Sequence, residues 1–194
     1  YTGNDKLMPS YAKAMEIGFL KSWNDNFFSA ELFARNTDGL AQNYYRAFFD
    51  NNAIVWTKEN VGNSWSVGTE FMTGIDVFSW WNTNISTSLF TYQLKVDVNT
   101  GNRTDKRTEK QFRSDSGFNN TFNLGKTTLL KCDITYHSPM ISAQLERDAY
   151  WYSNMAIRKT FDDKKWEVSL AWSNVFNSKK YNTVSTGDEF LVNT

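Results

Sequence analysis

The 194-residue chain is short of most things that mark a chemically active protein: it has one cysteine, one histidine and two prolines. A lone Cys132 cannot close a disulfide within the chain, and with His137 it supplies too few ligands for a zinc cage. Net charge is lacking too, since 21 Lys+Arg balance 21 Asp+Glu. Phosphate backbones are met by clustered cations, so nucleic acid is not an expected partner. No stretch of about 18 apolar residues occurs, which excludes a membrane-crossing helix but not strands that cross as a closed barrel. Tyr1 follows no basic and apolar leader, and Thr194 ends a polar stretch. Residues 1–194 are therefore expected to be part of a longer chain.

Aromatic residues are plentiful, with 8 Trp, 9 Tyr and 15 Phe. Such side chains pack well on pleated strands and suit helices poorly. Eight segments alternate apolar with polar or small residues, as expected when successive side chains point to opposite faces. The first, Ala14 to Trp23, sets Met15, Ile17, Phe19 and Trp23 against Glu16, Gly18 and Ser22, with Leu20 out of pattern. The second, Phe28 to Thr37, sets Phe28, Ala30, Leu32 and Ala34 against Ser29, Glu31 and Arg35, with Phe33 intruding. The third, Ser64 to Val77, is the cleanest, opposing Trp65, Val67, Phe71, Ile75 and Val77 to serines, glycines, Glu70 and Asp76. The others span Trp81 to Val98, Phe112 to Leu124, Thr127 to Ser138, Tyr150 to Phe161 and Trp166 to Val175.

The connections alternate in length. Turn-forming residues lie near Asn24–Asn26, Ser79–Asn82, Leu124–Lys126 and Asp162–Lys165. Between them lie long stretches, at Asp38–Asn63, Asn99–Gln111 and Pro139–Ala149. In an antiparallel meander this gathers tight turns at one end and long loops at the other. A soluble β-sandwich also alternates apolar with polar, but it gives no consistent reason for that asymmetry. Two more features favour a membrane wall. Several segments reach the ~9–11 residues a tilted membrane strand needs. Aromatics such as Trp23, Phe28, Trp65, Trp81, Trp151, Phe161 and Trp166 recur near segment ends, where rings settle at headgroup level.

A family resemblance adds to this reading. Glu16-Ile17-Gly18-Phe19, the run Leu32–Thr37, and Glu59–Ser64 leading into Gly68-Thr69-Glu70 resemble consecutive elements of TonB-dependent receptor barrels. Downstream, Ser138-Pro139 with Gln144, then Met155–Phe161, Val168-Ser169-Leu170 and Ser173–Asn177 resemble the outer-membrane β-barrel protein family within that group. The match runs from about Pro9 to Tyr181, and its specificity lies in the order of short hairpin patterns. The resemblance implies a Gram-negative outer-membrane importer with a plugged barrel of about 22 strands, energised through TonB. Its implied partners are outer-membrane lipid, a plug domain and the remaining barrel strands of the parent chain, TonB through a preceding N-terminal region, and an external ligand. The chain matches a late part of such a barrel, without the plug and without the closing strand.

Chemistry-bearing constellations are few. Glu16, Glu31, Glu70 and Asp115 share the polar parity and could be paired as acid and base. A polar lumen wall needs such residues for solvation alone, so no catalytic residue is expected and the chain is read as a non-enzyme. His137 reads as a polar strand-end residue without local partners, and Cys132 as a small hydrophobe on the apolar parity. Thr100 to Gln111, with Arg103, Asp105, Lys106, Arg107, Glu109 and Lys110, is a mixed-sign run that reads as a solvated loop or tip. No metal site or cofactor is expected. The candidate ligand contacts are Tyr44, Tyr45, Phe48, Phe49 and Trp56, rings crowding one long connection, where they could stack on a ligand or fold the connection into a hairpin extension.

The expected fold is all-β: an antiparallel up-and-down meander of about eight strands, part of a large transmembrane barrel in the Gram-negative outer membrane. The competing function is a soluble all-β ligand- or carbohydrate-binding module using the loop aromatics.

Overall fold

A computed structural model of the chain describes residues 3–48, 53–99, 104–161, 165–186 and 191–193. Eight strands form one antiparallel sheet: β1 (Tyr11–Trp23), β2 (Asn26–Phe48), β3 (Ala53–Phe78), β4 (Trp81–Asn99), β5 (Thr104–Leu124), β6 (Thr128–His137), β9 (Tyr150–Phe161) and β10 (Trp166–Trp172). Their spatial order is β1-β2-β3-β4-β5-β6-β9-β10, so each pairs with its neighbours along the meander. A small second sheet contains β7 (Met140–Ile141), β8 (Leu145–Arg147), β11 (Thr183–Thr186) and β12 (Leu191–Asn193). The large sheet does not close on itself, and β1 and β10 are its two ends. No helix among the described residues is long and apolar enough to cross a membrane, a test that crossing strands do not face.

Pairing register decides whether eight two-faced segments make one two-faced wall, because a slip of one residue would turn a strand's apolar set to the other side. The register keeps them together. One row across the sheet reads Met15, Ala34, Val67, Thr91 and Phe112. Another reads Phe118, Ile134 and Ser153, and a third Phe122, Leu130, Ile157 and Leu170. Among the described residues the apolar face has no dry partner. Ile17 is 75% exposed, Leu170 53% and Val67 39%, so these residues do not converge on a shared interior. Along β5 the pair Phe112 and Phe122, and along β9 the pair Trp151 and Phe161, bracket ten-position steps on that face, the length that crosses hydrocarbon.

The buried hydrophobic residues, Tyr44, Val61, Leu94, Val96, Val98 and Ala143, lie instead at the long-connection end. There the strands outrun the sequence-based boundaries. Asp38–Asn63 is mostly an extended hairpin of β2 and β3, and Asn99–Gln111 is mostly the start of β5. Between Thr37 and Ala41 the β2–β3 register shifts twice, with Gly39 in the left-handed region (φ +64°) and Gly62 (φ +132°) in a conformation that only glycine adopts cheaply. Beyond this bulge the parity of β2 reverses. Leu40, Gln42 and Tyr44 then point to the same side as the polar residues below. At the other end β1 and β2 meet in a two-residue turn with Asn24 at φ +48°, a region asparagine tolerates.

Candidate functional site

The polar parities of the strands meet on the face opposite the apolar band. One row runs through Glu31, Glu70, Ser88, Asp115, His137 and Tyr150 across six strands. Carboxylates facing each other repel, and the row contains its own counterweights. Ser88 Oγ donates to Glu70 Oε1 at 3.1 Å. Asp115 accepts from Arg113 at 3.2 Å and lies 2.9 Å from His137 Nδ1. Glu16, one row away, is held by Arg35 at 3.2 Å. His137 is thus a partnered residue, contrary to the expectation of an isolated strand-end histidine. All four carboxylates lie on the face their parity predicts.

Aromatic rings interleave with these charges. Phe33, which broke its segment's pattern, packs 6.0 Å from Phe90, and Arg113 lies 5.3 Å over the Phe90 ring. The His137 ring lies 4.9 Å from Tyr150, which in turn lies 4.7 Å from Tyr181. Arg147 caps Tyr150 at 4.8 Å, and Lys179 caps Tyr152 at 5.1 Å. Flat rings with guanidinium and ammonium groups over them form a surface suited to holding polar solutes. Among the described residues no group of three or more His, Cys, Asp or Glu side chains could hold a metal ion.

The connection between β6 and β9 lies across this face at the long-connection end instead of projecting away. Ser138 and Ser114 exchange hydrogen bonds, the Ile141 amide donates to Gln111 at 3.1 Å, and Arg107 donates to the Ala143 carbonyl. Farther on, the Ala143 amide donates to Gln42 Oε1 at 3.0 Å. Gln144 then completes the crossing from β5 to β2, accepting from the Tyr45 amide at 2.6 Å and donating to the Tyr45 carbonyl at 3.0 Å. Because β1 pairs no farther than Asp38, this stretch of β2 has a free edge, and the Gln144 amide occupies it as a strand residue would. Arg107, expected in a solvated tip, pairs with Asp105 at 2.7 Å and Glu109 at 3.2 Å within β5. Arg103 lies outside the described residues.

Replacing Gln144 with alanine should therefore unpair both Tyr45 backbone groups and loosen the crossing by about 1–2 kcal/mol. Hydrogen exchange at the Tyr45 amide should quicken about tenfold or more, and unchanged exchange would contradict this anchoring.

The five candidate rings do not form one platform. Tyr44 is 1% exposed and belongs to the small core, a correction to its reading as a loop-surface ring. The connection folds into the hairpin extension of β2 and β3, and the bulge turns Tyr44 toward Val61, Leu94 and Ala143. Tyr45 and Trp56 are cross-strand partners on the opposite side, Trp56 being 38% exposed. Phe48 is the last residue of β2, and Phe49 lies outside the described residues.

A family model described as an outer membrane protein beta-barrel family matches residues 1–194. No curated protein and no solved structure matches the chain.

Proposed function

Because the chain belongs to the outer membrane protein β-barrel family and so to the outer membrane, we propose that it is wall of a TonB-dependent receptor that imports an external ligand and performs no catalysis. The soluble-module reading loses its ground with that membership. The observation that carries the proposal is the two-sided wall: an apolar band on one face, and on the other a charged and aromatic row overlain by a folded connection. A passive pore needs only a wetted lumen. A receptor must also hold a solute and a plug against its inner face, and alternating carboxylates, cations and rings supply such contacts.

In this reading the apolar parity meets outer-membrane lipid, and the polar parity meets a plug domain. The remaining strands of the parent chain pair with the edges of β1 and β10, and TonB supplies energy through an N-terminal region. Tyr45 and Trp56 remain candidates for ligand contact, with Phe48 and Phe49 beside them in sequence. The test compares cells with and without the parent gene for depletion of solutes from rich medium, with and without a protonophore. Uptake that depends on the gene and is abolished by the protonophore is expected. Gene-dependent entry that stops at equilibrium and ignores the protonophore would mark a passive pore and overturn the proposal.

A further inference from the structure

On the polar face, where the chain returns after β10, we propose that Arg147 and Lys179, set on the rings of Tyr150, Tyr152 and Tyr181, bind the carboxylate or phosphate group of an organic anion. The imported solute is then negatively charged. That last step rests on the receptor reading, but binding to the cluster does not, so the two can fail separately.

Backbone contacts fix both cations. Arg147 lies in β8 between Met140 of β7 and Thr183 of β11, so its strand is paired on both sides. Asn174, at φ +51°, accepts from the amides of Ser178 and Lys179 through its Oδ1, at 3.0 and 3.1 Å. That turn brings the chain back over Tyr152, and Lys179 Nζ lies 5.1 Å from the ring centre. The Tyr152 and Tyr150 rings are 6.3 Å apart and inclined by only 15°. Tyr181 meets Tyr150 at 4.7 Å, and the Arg147 guanidinium lies over both, at 4.8 Å from Tyr150 and 5.5 Å from Tyr181. The rings hold the cations without neutralising them.

Negative charge is what the cluster lacks. Arg35, Arg107, Arg113 and Arg158 each face a carboxylate within 3.9 Å. Among the described residues neither Arg147 nor Lys179 does. The nearby carboxylates are committed elsewhere: Asp115 to Arg113 and His137, Asp133 to Asn154 Nδ2 at 2.7 Å, and Asp148 to Asn182 Nδ2 at 2.9 Å. Glu146 alternates with Arg147 and so takes the other face of β8. Glu70 stands four strand steps from Tyr150 along its row, about 19 Å, where salt screens its charge. A half-buried guanidinium without an acceptor is held at a cost that an oxyanion removes. Its Nε is enclosed, which leaves the Nη edge to receive two oxygens in the plane of the fork. Tyr181 and Lys179 are exposed, so the cluster is open to solvent.

The test titrates glucose, glucuronate and a glucose monophosphate, one body with three charges, into the full-length parent protein in nanodiscs of zwitterionic lipid. Saturation-transfer NMR reads binding at low salt. Both anions should bind about tenfold more tightly than glucose. Arg147→Gln should remove that advantage without altering glucose binding, and Lys179→Gln should weaken the anions about threefold. Lys110→Gln, the same change of charge on the apolar face, should leave all three probes unaffected. Glucose binding as tightly as the anions would overturn the site. Equal losses of all three probes in Arg147→Gln would show the guanidinium to be structural and overturn it as well. Should Arg147→Gln not fold, Lys179→Gln decides, and unchanged anion binding in that variant would overturn the site.

Discussion

Ile17→Arg should keep the parent protein from assembling stably in the outer membrane. Ile17 lies six positions from the turn-end Trp23, on the face shared by Leu32, Thr69 and Leu89, and it is among the most exposed apolar residues of the chain. Exposure of an isoleucine is costly in water and favourable in hydrocarbon. A guanidinium at mid-depth reverses that preference, at about 2–4 kcal/mol. The matched control is Ser29→Arg, which lies on the polar face beside Leu20 and Met72 and should cost under about 1 kcal/mol. Urea titration of folded protein in lipid vesicles measures both. Equal losses for the two variants would mean that the faces are not distinguished by their solvent.

Gly62→Ala is the second change expected to be severe. Gly62 sits at φ +132°, a region that an L side chain rarely adopts, and a strained backbone of this kind costs about 1–3 kcal/mol. A Cβ there would also overlap the Lys95 carbonyl oxygen in the paired strand, which is backbone and cannot swing aside. Relief requires the β3–β4 pairing to shift where Val61, Leu94 and Val96 form the buried cluster. The expected cost is about 3 kcal/mol or more. Gly125 supplies the contrast: its φ is +75°, but a Cβ would meet nothing within 4 Å. Gly125→Asn should therefore cost under about 1 kcal/mol. A Gly62→Ala protein as resistant to urea as the parent would remove the bulge from the account.

Period-two patterning was enough to find all eight wall strands, because each crosses the band with one face in one solvent. Tyr150–Phe161 has the sequence-based limits, and Trp81 to Val98 falls one residue short at its end. The pattern failed beyond Asp38 and before Phe112, where both faces of the extended hairpins meet water or protein and no hydrocarbon imposes alternation. The bulge at Gly39 and Gly62 adds a reversal that no count of alternating residues reveals. The second sheet was hidden for another reason. Its strands are two to four residues long and pair across distant segments, as when Val184 meets Glu146.

The site was half legible. Parity placed Glu16, Glu31, Glu70 and Asp115 on one face, but partners depend on register. The pairing of Asp115 with His137 could have been read by folding the fifth and sixth segments about the turn at Gly125, which aligns Leu124 with Thr128 and so brings those two residues opposite. The contact of the Tyr181 ring with Tyr150 could not, because it depends on the chain after β10 returning across the polar face.

The most direct test of the wall is a single-cysteine scan along β3 from Trp65 to Ile75, in the full parent protein with Cys132 replaced by serine. Each position is probed by a membrane-impermeant thiol reagent and by a spin label read against lipid-dissolved oxygen. The account predicts strict alternation, with positions 65, 67, 69, 71, 73 and 75 broadened by oxygen and shielded from the reagent, and the intervening positions showing the reverse. Uniform reactivity, or shielding of both parities from water and lipid alike, would place the apolar face against protein and contradict it.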